Sequence, residues 1–151
     1  MFEKFGEFDD FTGINKAAAG FKEEGDTESI NELAKENGIN TDEAVDYIMG
    51  ETDELCTATT AALGRLAIER EETKEDKVMM GVIFDMAGMM VLEDEAFAFL
   101  VTKKGRRCED ILKRMREEAR KTQKGGAGCV CGTDRDLMKR ILSYYEEASA
   151  E

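Results

Sequence analysis

The sequence predicts an all-α fold of about eight short helices in one compact helical bundle, or in two helical halves joined near residues 69–77. Three observations carry this expectation. Apolar residues recur at spacings of three and four nearly everywhere, and strict alternation is absent over any useful length. The chain contains no proline, so helices end at glycines and polar caps. Hydrophobic residues make up 42% and charged residues 36%, a balance that suits amphipathic helices with densely charged outer faces.

The first helix is expected from about Thr12 to Lys22, with Ile14, Ala17, Ala18 and Phe21 inward and Gly25 closing it. Asp26-Thr27 starts a second, which runs to Glu36 before Asn37-Gly38 and turns Ile30, Leu33 and Ala34 to one face. Thr41 caps a third that reaches Met49, with Asp42 and Glu43 in its first turn, where carboxylates oppose the helix dipole favourably. A fourth spans about Asp53 to Glu71 with Leu55, Ala62, Leu63 and Leu66 along one stripe. The charge run from Glu69 to Lys77 follows as a turn or as the join between halves.

The fifth helix, Glu75 to Val91, is apolar nearly all round, which predicts a central helix touched on several sides. Its five methionines between Met79 and Met90 are read as filler for an irregular core rather than as an adaptable partner surface. The sixth, Glu93 to Lys103, buries Ala96, Phe97, Leu100 and Val101; the seventh, Arg107 to Lys121, turns Cys108, Ile111, Leu112, Met115 and Ala119 inward. After a glycine-rich link, Lys124 to Gly132, Thr133 and Asp134 open a last helix carrying Leu137, Met138, Ile141, Leu142 and Tyr145.

No segment is a continuous apolar run long enough to span a bilayer, so no membrane is expected. The acidic, aromatic start lacks the basic and apolar regions of a secretory signal, and four scattered cysteines do not make a secreted disulfide framework. A cytoplasmic protein is expected. The absence of histidine removes Ser-His and Cys-His nucleophile pairs and zinc-hydrolase motifs. The glycine-rich link lacks the Gly-Lys-Ser/Thr order of a phosphate loop. Cys129-Val-Cys131 has one residue between the thiols where zinc sites usually have two or more. With Cys56 and Cys108 the only other candidates, the reading is no metal, no cofactor and no catalytic residue.

Charge is the informative quantity. Residues 1–72, an acidic helical N-terminal half, contain 19 Asp and Glu against 6 Lys and Arg; residues 73–151, the C-terminal half, contain 15 of each. The first half thus holds the whole net charge of -13. Within the second, Lys103 to Arg140 carries 13 basic against 6 acidic residues. Spaced carboxylates on short helices resemble a nucleic-acid backbone and are attracted by basic channels.

Lys103-Lys104, then Cys108-Glu-Asp-Ile-Leu-Lys-Arg-Met-Arg-Glu-Glu-Ala-Arg-Lys121, then the glycine-rich break and Asp136-Leu-Met-Lys-Arg-Ile-Leu-Ser-Tyr-Tyr-Glu-Glu147 resemble the PcfK-like family of conjugative plasmids and other mobile elements. The likeness covers about residues 96–147, and the first half looks like an amino-terminal extension of some members. Where members often have histidine before the tyrosine pair, this chain has Ser143. The family includes inhibitors of the type II CRISPR effector nuclease, so the resemblance implies a non-enzymatic anti-CRISPR or conjugation accessory role.

The expected partner is therefore a protein, the type II CRISPR effector nuclease with or without guide RNA, whose basic channels a compact polyanion can occupy. The candidate acidic face comprises Glu23, Glu24, Asp26, Glu28, Glu32, Glu36, Asp42, Glu43 and Asp46. The alternative contact uses Arg114, Arg116, Tyr144 and Tyr145, since interfaces are enriched in arginine and tyrosine, with one ring of the pair packed inward and the other near solvent. A rival reading is a conjugation accessory protein that binds nucleic acid directly through the basic Lys103 to Lys124 region.

Overall fold

A computed structural model describes residues 1–122 and 133–147. Among them are eight helices and no strand: α1 (Phe11–Glu23), α2 (Thr27–Glu36), α3 (Thr41–Met49), α4 (Ala58–Glu72), α5 (Lys77–Glu93), α6 (Glu95–Val101), α7 (Cys108–Thr122) and α8 (Asp134–Glu147). The all-α expectation holds, and most helix boundaries fall within two residues of those expected.

Local chemistry explains the boundaries. Asp10, Asp26, Asn40, Asp76 and Asp94 each cap a helix by accepting a backbone N–H of its first turn. At the end of α2, Gly38 adopts φ +70° while its N–H donates to Lys35 and that of Ile39 to Ala34. This Schellman turn satisfies two orphan carbonyls and drops Ile39 into the core. Hydrogen bonds of the same pattern end α1 at Gly25 and α3 at Gly50.

The fourth helix departs most from expectation, beginning at Ala58 and not at Asp53. Thr57 and Thr60 exchange side-chain and backbone hydrogen bonds in a reciprocal capping box. Ahead of it, residues 50–57 form an irregular strap held by Asn15, whose side chain donates to the Cys56 carbonyl (2.9 Å) and accepts from the Cys56 N–H (3.0 Å). That clasp seats Leu55 in the core at 2% exposure. The non-helical backbone there lets Leu55 join the core of α1 to α3, away from the stripe formed by Ala62 and Leu66.

Apolar packing is divided between two cores that meet at α4. Ile14, Ile30, Leu33, Tyr47 and Leu55 build one from α1 to α3 and the strap, with Ala61 closing it. Met80, Ile83, Phe97, Ile111 and Ile141 build the other from α5 to α8, with Ala58, Ala62 and Leu66 on its side of α4. At the seam α4 meets the end of α2 backbone to backbone, Gly64 against Gly38.

Three burial expectations need correction. Ala96 is exposed and Ala98 is buried in its place, because the inner face of α6 is formed by Phe97, Ala98 and Val101 and Ala96 falls outside it in the first turn. The fifth helix is covered on one side only: α4, α6, α7 and α8 pack against it, yet Val78, Val82, Met89 and Leu92 remain exposed. Met138 is also partly exposed, at 39%.

The third correction concerns the tyrosine pair, both of whose rings are buried, at 2% for Tyr144 and 0% for Tyr145. The Tyr144 hydroxyl donates to Asp110 Oδ2 (2.7 Å) and accepts from the Arg107 N–H (2.8 Å), while the Tyr145 hydroxyl lies 3.2 Å from Cys108 Sγ. Together they fasten the end of α8 to the start of α7. Tyr144→Phe is expected to lower unfolding free energy by about 1–3 kcal/mol, since it strands two partly buried polar partners. Urea denaturation checks this, and an unchanged midpoint would contradict the stapling role.

Candidate interaction surface

The acidic candidates do not form one uniform face. Glu23, Glu24, Glu28, Asp42 and Asp46 are exposed, Glu23 and Glu24 at the α1 end of the α1–α2 corner, Glu28 in the first turn of α2, and the two aspartates on α3. Asp26, Glu32 and Glu36 are half-buried and engaged. Asp26 caps α2, and hydrogen bonds from the Ser29 hydroxyl and N–H hold its carboxyl below the ordinary carboxylate value. Glu32 pairs with Lys4, and Glu36 accepts the N–H groups of Lys4 and Phe5, binding the N-terminal segment to α2.

Glu43 and Asp46 are brought together by α3, where they line a groove completed by Asp53 and Glu54 of the strap. The sequence reading missed the last two residues because it placed them inside a helix. The signals that place them correctly are Gly50 as a stop and Thr57-Ala-Thr-Thr60 as a capping box. The buried Leu55 and Cys56 back the same wall, so the groove presents four carboxylates.

The basic alternative is largely engaged within the chain. Arg114 pairs with Glu147 (2.8 Å) with its guanidinium 5.0 Å from the Tyr144 ring centre, and Arg116 pairs with Glu75 (2.7 Å). Arg107 reaches Glu7 (3.2 Å), Arg140 pairs with Glu118 (2.6 Å), and the Lys103 ammonium sits 5.2 Å from the centre of the Phe99 ring. Of the four alternative contact residues, Arg114 and Arg116 are thus exposed but paired, and Tyr144 and Tyr145 are inside the fold.

No family model, curated protein or solved structure matches this chain.

The buried polar chemistry lies at the seam between the cores. Arg65 of α4 donates to Glu7 Oε1 (2.6 Å) and to the carbonyls of Thr102 (3.1 Å) and Arg106 (2.8 Å). Glu7 Oε1 also accepts the Gly105 N–H (2.9 Å). Glu69, one turn further along α4, accepts the Cys108 N–H (3.1 Å), and its Oε2 has no hydrogen-bond partner among the described residues. Burial pushes its carboxyl up to about 7, against the pull of Arg65, the Cys108 N–H and Arg107.

Burial likewise pushes the Cys56 thiol up to about 12 and that of Cys108 still higher, so neither is a reactive thiolate at neutral pH. Cys56 belongs to one core and Cys108 to the other. Cys129 and Cys131 lie outside the described residues. Among the described residues, no group of three or more Cys, Asp and Glu side chains is placed to hold a metal ion, and no helix is long and apolar enough to cross a membrane.

Proposed function

We propose that this chain is a non-catalytic cytoplasmic inhibitor that binds the type II CRISPR effector nuclease and blocks DNA engagement or cleavage, using the acidic surface of α1 to α3 and the strap. One observation carries the reading. The whole net charge of -13 resides in residues 1–72, and Glu23, Glu24, Glu28, Asp42 and Asp46 there stand exposed on short rigid helices. A cationic groove that normally holds phosphates attracts such a surface over several ångströms and aligns it before contact. The likeness of residues 96–147 to the PcfK-like family supports the choice of partner. Direct nucleic-acid binding through Lys103 to Lys124 is disfavoured, because Arg107, Arg114 and Arg116 would first have to leave carboxylate partners.

The test is capture of purified nuclease, with and without guide RNA, by the full chain and by a variant carrying Glu23→Gln, Glu24→Gln, Glu28→Gln, Asp42→Asn and Asp46→Asn. Asp26, Glu32 and Glu36 are left intact because the fold uses them. Capture is expected to weaken by about tenfold or more and to become less sensitive to salt, since several screened charge contacts are removed together. Undiminished capture by this variant, with loss on Arg114→Ala and Arg116→Ala, would overturn the acidic reading.

A further inference from the structure

The fifth helix is apolar on two opposite sides, and the described residues cover only one of them. Val78 (82% exposed), Val82 (44%), Met89 (61%) and Leu92 (68%) lie on the outer side, with exposed Asp85 in the middle of the strip. Positions 78, 82, 85, 89 and 92 alternate spacings of four and three, which at about 100° per residue confines them to an arc of roughly 80°. That is the pattern of a two-helix seam. We propose that this strip is a homodimer interface, in which α5 packs antiparallel against α5 of a second copy about a two-fold axis at Asp85.

Symmetry and charge select this occupant. An axis through position 85 sets Val78 against the partner's Leu92 and Val82 against the partner's Gly88, one residue from Met89, so the apolar strip meets its own copy along its length. Two carboxylates meeting at the axis would repel, but each Asp85 already holds Arg70 at 2.7 Å. The centre therefore contains two anions and two cations, free to exchange partners across the axis. The ends also match. Lys74 and Lys77 flank the start of α5, where Glu75 between them is paired with Arg116 (2.7 Å) and Asp76 caps the helix, and Glu93, Asp94 and Glu95 flank its end. An antiparallel pair brings the lysine end toward the acidic end and opposes the helix dipoles, whereas a parallel pair stacks like on like.

Beside the strip, a Cβ added at Gly88 would meet nothing within 4 Å. Nothing among the described residues requires glycine there, at a helix-interior position where it disfavours the helix. A closely approaching second helix supplies the requirement. The 17-residue helix is about 25 Å long, so the contact is smaller than a standard interface, and dissociation on the order of tens of micromolar is expected.

Sedimentation of the full chain in the absence of any nuclease tests the proposal separately from the function proposed above. Mass should rise from 16.9 kDa toward twice that value between about 1 μM and about 1 mM. Met89→Asp, at an exposed site that leaves helicity unchanged by circular dichroism, should raise the dissociation constant by about tenfold or more. With Cys129 and Cys131 replaced by serine, a Val78→Cys chain mixed with a Leu92→Cys chain should form a mixed disulfide, and neither should do so alone. A monomer at every concentration, a dimer indifferent to Met89→Asp, or efficient self-crosslinking of Val78→Cys would each overturn it.

Discussion

Gly64→Ala is expected to destabilise the protein by about 3 kcal/mol and to lower its melting temperature by about 10 °C. A Cβ on Gly64 would lie 2.6 Å from the carbonyl oxygens of both Asn37 and Gly38, and one on Gly38 would lie 2.5 Å from the Gly64 oxygen. Both obstacles are backbone, so no side chain can swing aside. Relief requires separating α2 from α4, which opens the seam and loosens Ile39 and Ala61. Gly20→Ala, mid-helix on α1 with nothing within 4 Å, is the matched control. It should stabilise by roughly 0.5–1 kcal/mol through helix propensity alone. Thermal unfolding of the two variants should therefore move in opposite directions, and a neutral Gly64→Ala would show that the helices do not touch there.

The two carboxylates near Arg65 should likewise respond with opposite signs. Removing the charge of Glu7 leaves a buried guanidinium without its closest counter-ion, so Glu7→Gln is expected to cost about 2–4 kcal/mol at pH 7. Burial raises the Glu7 carboxyl, but the Gly105 N–H, Arg65 and Arg107 outweigh it and hold the group below its ordinary value. Its contribution is present above the unfolded value of 4.5 and is lost as pH falls through the lower folded value.

Glu69 behaves in reverse. Below pH 4.5 the folded and unfolded chains both carry its proton; between 4.5 and about 7 only the folded site keeps it, so stability falls as pH rises through that window. The accumulated loss is on the order of 3 kcal/mol. Glu69→Gln retains an acceptor for the Cys108 N–H and is expected to stabilise by about 1–3 kcal/mol at pH 8 while changing little at pH 4. Urea denaturation at both pH values reads the pair of effects. A Glu69→Gln protein whose stability falls as steeply with pH as the parent would show that Glu69 ionises normally.

These variants also bear on function. Arg65 joins the N-terminal segment, α4 and the loop before α7 at one point, so the acidic helices are held rigidly against the rest of the chain. Rigid presentation lowers the entropy lost when a surface binds. On the function proposed above, Glu7→Gln should therefore weaken nuclease capture beyond the fraction of protein it unfolds.

Local signals in the sequence were enough for the helices and their order. Asp26 with Gly38, Gly50, and Thr133-Asp134 mark ends because capping and left-handed turns involve residues within a few positions of one another, although the cap of α3 is Asn40, one residue before the Thr41 expected. The start of α4 was misread because Leu55 continues the apolar stripe in sequence. Its side chain instead enters the other core, a choice made by Asn15, forty-one residues from its partner Cys56. In the same way, the exposed acids were legible as charge, but Glu32 and Glu36 could not be recognised as ties for Lys4 and Phe5.

By itself, then, the sequence determined the order of the described helices, most of their ends and the lopsided charge, all properties of neighbouring residues. Only the tertiary structure decided that both tyrosines are buried, that Glu69 sits beside Arg65 without a full set of partners, and that one side of α5 faces outward. Periodicity reports that a helix face is apolar; whether another helix covers it depends on chain segments far away in sequence. The same distance hides the meeting of Gly38 and Gly64, where the glycine that ends α2 and a glycine inside α4 bring two backbones into contact.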